Sequence, residues 1–189
     1  AHARAAPRPA ARHPPAAAHA DRPLVTTPEL TPEYLIETLG LVPLPFEGGW
    51  YVETWRSSVL VPTERGRRAA GSAIWYLITP DSFSALHRVA FDELFHLYLG
   101  DAVEMLQLLP GGSTRTLRIG ADIAGGERPQ ALVPAGVWQG ARLLPGGSFA
   151  LFGVTMAPGF DRADFEPGDR AALIAHWPHA ADHIRALTR

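Results

Sequence analysis

From Leu30 onward the chain changes its hydrophobic period once, early, and then keeps the new one for most of its length. "LTPEYLIETLGL", residues 30–41, spaces its apolar side chains for one face of a helix. Thr31 suits the N-cap, Pro32 the first helical position and Gly40 the stop, so one short helix is predicted. From there to about residue 160 short apolar or alternating runs are separated by Gly and Pro, as in "GGWYVETWRSS", "SAIWYLIT", "ELFHLYLGD", "QALVPAG" and "GSFALFGVTM". Pro-Gly-Gly-Ser occurs twice, at 110–113 and 145–148, and both copies read as hairpin tips. Many short strands without intervening helices predict an all-β sandwich or barrel of antiparallel sheet. "DRAALIAHWPHAADHIRALTR" returns to helical spacing, with Pro178 at a helix start, and predicts a helical segment packed outside the barrel or on a neighbouring subunit.

The first twenty residues contain only Ala, Pro, Arg, His and no large apolar side chain. Such a stretch cannot bury enough surface to fold, so residues 1–27 are expected to be a disordered tail and 28–189 a single domain. The acid-free, Arg-rich start has some features of a transit peptide but lacks the apolar centre of a secretory signal. A bacterial, cytoplasmic protein is the expectation.

With 189 residues, 47% of them apolar, the chain suits one domain with a sizeable core. A formal charge of -2, scattered along the chain, makes no electrostatic case for nucleic acid or an anionic membrane, and no apolar run approaches the roughly 18 residues of a membrane helix. There is no cysteine, lysine or asparagine. Thiolate nucleophiles, disulfides, thiolate metal sites, Schiff bases and the usual phosphate-binding loop are thereby excluded. Acid–base or metal chemistry falls to His, Asp, Glu, Tyr and Arg.

The densest set of such residues is "HRVAFDELFHLYLGD", residues 87–101, with Glu93 six residues after His87 and Gly100 seven after Glu93. "VPAGVWQGA" follows about three dozen residues later. This outline resembles the two motifs of the cupin superfamily, small jelly-roll β-barrels whose motifs read His-x-His, three or four residues, Glu, six residues, Gly, and later Pro-x-Gly, two residues, His. His87, Glu93, Gly100 and Pro134-Ala135-Gly136 keep their positions, but Val89 stands where the second histidine belongs and Gln139 where the last one does. Together with "EGGWYVETWRSS" and "MAPGFDRADFE", the chain over roughly residues 30–170 is similar to the cupin-5 type, a family named as a domain of unknown function. The resemblance implies a cupin-type jelly-roll β-barrel with a short N-terminal helix and a C-terminal helical segment.

Fold alone names no activity. A metal needs three or four convergent donors, and the four positions the resemblance points to supply His87, Glu93, the weak donor Gln139 and nothing at Val89. His96 would complete a set with His87 and Glu93, although alternation puts residues 93 and 96 on opposite faces of one strand unless a bulge intervenes. No cofactor is favoured; Fe, Mn, Zn or Ni is the alternative. An acid–base reading asks less: His87 beside Glu93 is a general base, with Tyr98, Tyr76 or Tyr51 as the opposing acid. Metal-free epimerases of the same superfamily work with a His base and a Tyr acid, which the resemblance offers as a precedent. Along "WYVETWR", Tyr51, Glu53 and Trp55 are expected on one face and Trp50, Val52, Thr54 and Arg56 on the other.

Arg88 and Asp92 are expected to pair; Asp161, Asp164 and Glu166 read as a solvated loop, and His176, His179 and His183 as surface residues. The expected protein is a homodimeric cupin that binds a small polar organic molecule. It would isomerise, epimerise or cleave that molecule with His87, Glu93 and Tyr98, while Tyr51, Glu53, Arg56, Tyr76 and Gln139 hold it. A metal-dependent oxygenase or lyase and a non-catalytic binding protein are the alternatives.

Overall fold

The computed structural model describes residues 30–189. The tail expected at 1–27 lies outside them. Helix α1, Pro32–Leu39, begins where Thr31 accepts the Tyr34 N–H at 3.2 Å and ends where Gly40 turns left-handed at φ 65°. Thirteen strands follow: β1 Val42–Pro43, β2 Trp50–Arg56, β3 Leu60–Thr63, β4 Gly66–Ala69, β5 Ser72–Ile78, β6 Ser84–Val89, β7 Glu93–Gly100, β8 Val103–Leu108, β9 Thr114–Ile119, β10 Gln130–Val133, β11 Trp138–Leu143, β12 Ala150–Met156 and β13 Phe165–Pro167. Two short helices, α2 Arg170–His176 and α3 Ala181–Ala186, close the chain.

Two antiparallel sheets face each other, one of six strands in the order β1-β2-β5-β12-β7-β10 and one of five in the order β13-β6-β11-β8-β9; β3 and β4 form a separate hairpin. This is the jelly roll, open at its edges rather than closed into a cylinder. Alternate residues of both sheets fill the interior around Tyr76, Phe95, Met105 and Phe152. The outer face of the five-stranded sheet carries Leu86, Leu106 and Leu108 beneath Leu173, Trp177 and Ile184 of the C-terminal helices, as the helical spacing predicts. Helix α1 covers one end of the six-stranded sheet through Leu35, against Leu77 and Leu151.

One turn differs from its sequence reading. The first Pro-Gly-Gly-Ser joins the paired strands β8 and β9, but the second joins β11 to β12, which lie in opposite sheets. It is an arch between layers, fastened where the Ser148 N–H donates to Asp101 Oδ2 at 2.6 Å. Local turn chemistry specifies a reversal and is silent on whether the returning strand pairs with the one it left.

Candidate functional site

The site begins in "LPFEGGW", the loop between β1 and β2. Phe46 (φ 70°), Gly48 (φ 99°) and Gly49 (φ 69°) are all left-handed, a conformation that is strained for Phe and free for Gly. A side chain at Gly48 would meet the Phe83 carbonyl at 2.5 Å, and one at Gly49 the Leu77 carbonyl at 2.8 Å. The loop lies flat on the neighbouring strands. The Ala85 N–H donates to the Glu47 carbonyl at 2.8 Å and the buried Tyr76 hydroxyl to the Gly48 carbonyl at 3.0 Å. Burial raises the Tyr76 hydroxyl well above its ordinary range, and the Glu47 charge adds to this, so it stays a neutral donor. What the turn presents is Glu47, which the sequence reading passed over in favour of the glycines beside it.

Glu47 Oε1 accepts from Ser84 Oγ at 2.9 Å, and its Oε2 lies 3.8 Å from His87 Nε2. His87, on β6, is almost wholly buried and stacks on Phe165 with ring centroids 4.9 Å apart. Its Nδ1 is 2.8 Å from the Ala85 carbonyl, which can only accept, so Nδ1 carries the proton and Nε2 is left as an acceptor. Gln139 of β11, directly across from His87 in register, fills that role: its Nε2 is 2.9 Å from His87 Nε2 and donates to Glu93 Oε2 at 3.1 Å. The amide clasps imidazole and carboxylate together. Its own Oε1 is buried without a partner among the described residues. Gln107, equally buried and opposite Gln139 on β8, makes the contrast: it donates to the Leu132 carbonyl and accepts from Arg115.

Burial raises the Glu93 carboxyl from an ordinary 4.5 to about 7; His87 opposes the rise, Glu47 adds to it and the Gln139 N–H opposes it. A buried carboxyl that titrates near neutrality can both give and take a proton there.

Glu47, His87 and Glu93 line a cavity of about 380 Å³ between the sheets, whereas Gln139, expected to hold substrate, is fully buried behind them and not part of its lining. Tyr51, Glu53 and Arg56 share it with Glu47, His87 and Glu93, over apolar walls that include Ile74, Val154 and Met156. Strict alternation put Arg56 on the face opposite Glu53; a register shift between Glu53 and Trp55 brings it back to the cavity side. Arg56 then forks onto the Glu53 carboxylate, Nε at 3.1 Å and Nη2 at 2.5 Å, and its Nη1 donates to the Phe160 carbonyl at 2.8 Å.

Phe160 and Phe165 close the cavity from the segment read as a solvated acidic loop. That reading is corrected at Asp164, while the Asp161 and Glu166 side chains, 45% and 53% exposed, do face solvent. The Asp164 side chain is fully buried, held by Arg65 Nε at 2.6 Å and Arg68 Nε at 2.7 Å, and the Arg68 hydrogen bond pulls its carboxyl below the usual carboxylate range. The strap is tied to the β3–β4 hairpin, a long-range partnership that loop composition does not reveal. Arg88 and Asp92 are likewise not partners: Arg88 pairs with Glu166 at 2.7 Å, and Asp92 accepts the Ala135 N–H at 2.8 Å.

The remaining candidates lie elsewhere. Tyr98 is 53% exposed on the outer face of the six-stranded sheet, its ring over the strand where a Cβ at Gly153 would fall. Tyr76 sits behind the cavity with its hydroxyl committed to Gly48. His96, three residues after the inward Glu93, faces outward, where its ring nitrogens meet Gln130 at 3.1 Å and Thr155 at 3.5 Å.

The cupin resemblance raises a transition metal, and the donor set does not fit one. Val89 offers no ligand, His96 is on the far side of the sheet, and the Gln139 amide nitrogen occupies His87 Nε2 and one oxygen, Oε2, of Glu93. No group of three or more His, Asp or Glu side chains among the described residues is arranged to hold an ion.

An uncharacterized protein of Saccharomyces cerevisiae is 30% identical over 132 residues, which is 62% of this chain and 66% of the yeast protein, so the chain spans about two thirds of that relative's length. A hypothetical protein from Leishmania major superposes with a TM-score of 0.79 at 33% identity, covering 84% of this chain and 99% of its own. Protein SO0799 from Shewanella oneidensis gives 0.78 at 31% identity, covering 85% and 98%. No helix among the described residues is long and apolar enough to cross a membrane. Residues 33–167, which include both motif segments and the whole Glu47–His87–Glu93–Gln139 cluster, match the cupin superfamily profile described as DUF985, and the chain belongs to that family.

Proposed function

We propose that this cupin binds a small organic molecule in the cavity between its sheets and moves a proton on it without a metal, as an isomerase, epimerase or lyase does. Glu93 gives and takes the proton. The observation that carries this reading is a buried carboxyl raised to about 7 that lines a 380 Å³ cavity with one oxygen fixed by Gln139. His87, holding its proton on Nδ1, fixes the other side of the Gln139 amide and so keeps the carboxyl aimed. Tyr51 and Arg56 line the same space and are assigned to substrate orientation.

The test starts from ligands found by thermal shift in a metabolite library, incubated with the protein in deuterated buffer and read by mass spectrometry for carbon-bound deuterium. Exchange by the wild type and its loss in Glu93→Gln are expected; a ligand that binds tightly and returns unlabelled makes the protein a binding module. Pairing of two copies is a separate part of the proposal, supported by Trp55, Tyr98 and Leu132 exposed on the six-stranded sheet. Sedimentation at micromolar concentration reads it, and a monomer contradicts it.

A further inference from the structure

The charges around the cavity are unequal. Three carboxylates line it, Glu47, Glu53 and Glu93, against one arginine and one imidazole. Arg56 is engaged: Nε and Nη2 bind Glu53 and Nη1 binds the Phe160 carbonyl, which leaves two of its five N–H groups. His87 is turned away from the role of donor to the cavity: its Nδ1–H is committed to the Ala85 carbonyl and its Nε2 faces Gln139. Glu53 and Arg56 cancel, which leaves Glu47 and Glu93 facing the space without a guanidinium of their own.

Each of those two acids has one oxygen committed and one free. Glu47 gives Oε1 to Ser84, and Oε2 has only the 3.8 Å approach to His87. Glu93, 8% exposed and therefore more than nine-tenths buried, gives Oε2 to Gln139; its Oε1 has no hydrogen-bond partner among the described residues and opens on the cavity. Neither oxygen is sealed inside the protein, so both are acceptors that a molecule in the cavity can reach. Around this pair the walls are apolar, from Leu44, Ile74, Val154 and Met156, with the aromatic rings of Tyr51 and Phe160.

We propose that the ligand of this cavity is a small organic cation, an amine whose ammonium group donates to the free oxygens of Glu47 and Glu93 while its hydrocarbon body lies on the apolar wall. The proposal rests on the reading of this cavity as a small-molecule site and narrows what enters it. An ammonium has three donors and no acceptor, which is what two unfilled acceptors need. A carboxylate or phosphate would meet Glu47 and Glu93 at close range, with only the spare N–H groups of a guanidinium already neutralised by Glu53 to receive it, a charge mismatch that disfavours the wrong ligand while the match selects the right one. The rise of the Glu93 carboxyl to about 7 fits the same arrangement, since an uncompensated neighbouring acid is one of its causes. A bound cation reverses that push, so binding strengthens as the pH rises towards 7 and levels off above it.

The test uses three probes with one carbon skeleton: 3-methylbutylammonium, 3-methylbutan-1-ol and 3-methylbutanoate, titrated into the full chain by chemical-shift perturbation. The ammonium is expected to bind about tenfold more tightly than the alcohol, the difference between a charge-assisted and a neutral hydrogen bond, and the carboxylate not to bind. Glu47→Gln keeps the acceptor for Ser84 and is expected to weaken the ammonium about tenfold with its unfolding midpoint unchanged. Glu93→Gln is expected to remove the rise in affinity that leads up to pH 7. A carboxylate that binds as well as the ammonium, an ammonium indifferent to Glu47→Gln, or no ammonium binding at about 10 mM overturns the proposal. The proton-transfer reading fails separately: ammonium selectivity with no carbon-bound deuterium ends catalysis and leaves the cation site standing, while exchange on an anionic ligand does the reverse.

Discussion

Asp164 and Glu93 are buried to nearly the same degree, 5% and 8% exposed, and the strap that carries Asp164 helps wall the cavity that Glu93 lines. Asp164 has two guanidinium groups on it and is held below the ordinary carboxylate range. Glu93 has one amide N–H and no guanidinium, and burial raises its carboxyl to about 7. Burial alone therefore says little about what an acid does; its partners decide. A charge that is fully compensated fixes structure, and one left short of partners is available for chemistry.

The largest expected break in this contrast is kinetic. Glu93→Gln removes the titrating proton while keeping shape and the bond to Gln139, so proton exchange on a bound ligand should fall about 10²-fold to 10⁴-fold. Asp164→Asn should leave exchange within a few-fold provided the strap stays folded. Equal losses in both would erase the distinction.

Stability against pH separates the two acids next. Glu93 has a folded value above its unfolded one, so its contribution is fully present below the unfolded value of about 4.5 and is lost as pH rises to about 7. Urea midpoints should fall across that window by the equivalent of about 3 kcal/mol, and Glu93→Gln should flatten the slope. Asp164 has the opposite sign: its contribution is present above the ordinary 3.8 and is lost as pH falls through its lower folded value. Between pH 4.5 and 7 only the Glu93 slope should therefore be visible.

Asp164→Ala comes third. It leaves Arg68 facing the gap and should cost about 2 kcal/mol, read as a drop in Tm. Smallest is His96→Ala on the outer face, which should change stability by about 0.5 kcal/mol or less and exchange not at all. A large loss there would mean that the outer face reaches the chemistry.

Much of this architecture was legible in the sequence. Thr31, Pro32 and Gly40 mark the first helix because capping is local, and the spacing of His87, Glu93 and Gly100 marks strands β6 and β7 because the motif is local too. Gln139 drew notice by standing where a histidine was expected. Glu47 did not, because its importance comes from a left-handed turn that carries it across to His87, forty residues away. The one available signal was an acid directly before Gly48 and Gly49 in a loop beside the aromatic strand. Arg56 was assigned to the wrong face because a single register shift inverts every later side chain, and periodicity carries no mark of where a bulge falls. Asp164 read as solvated because Arg65 and Arg68 lie almost a hundred residues earlier, on a hairpin whose docking only the tertiary structure specifies.

The central claim is that Glu93 is a proton carrier near neutrality, and a carbon-13 titration of the glutamate side-chain carboxyls measures it directly, with Glu93→Gln assigning the resonance. The account predicts a midpoint near 7, falling when 3-methylbutylammonium is added. A midpoint near the ordinary 4.5 in the ligand-free protein would contradict it.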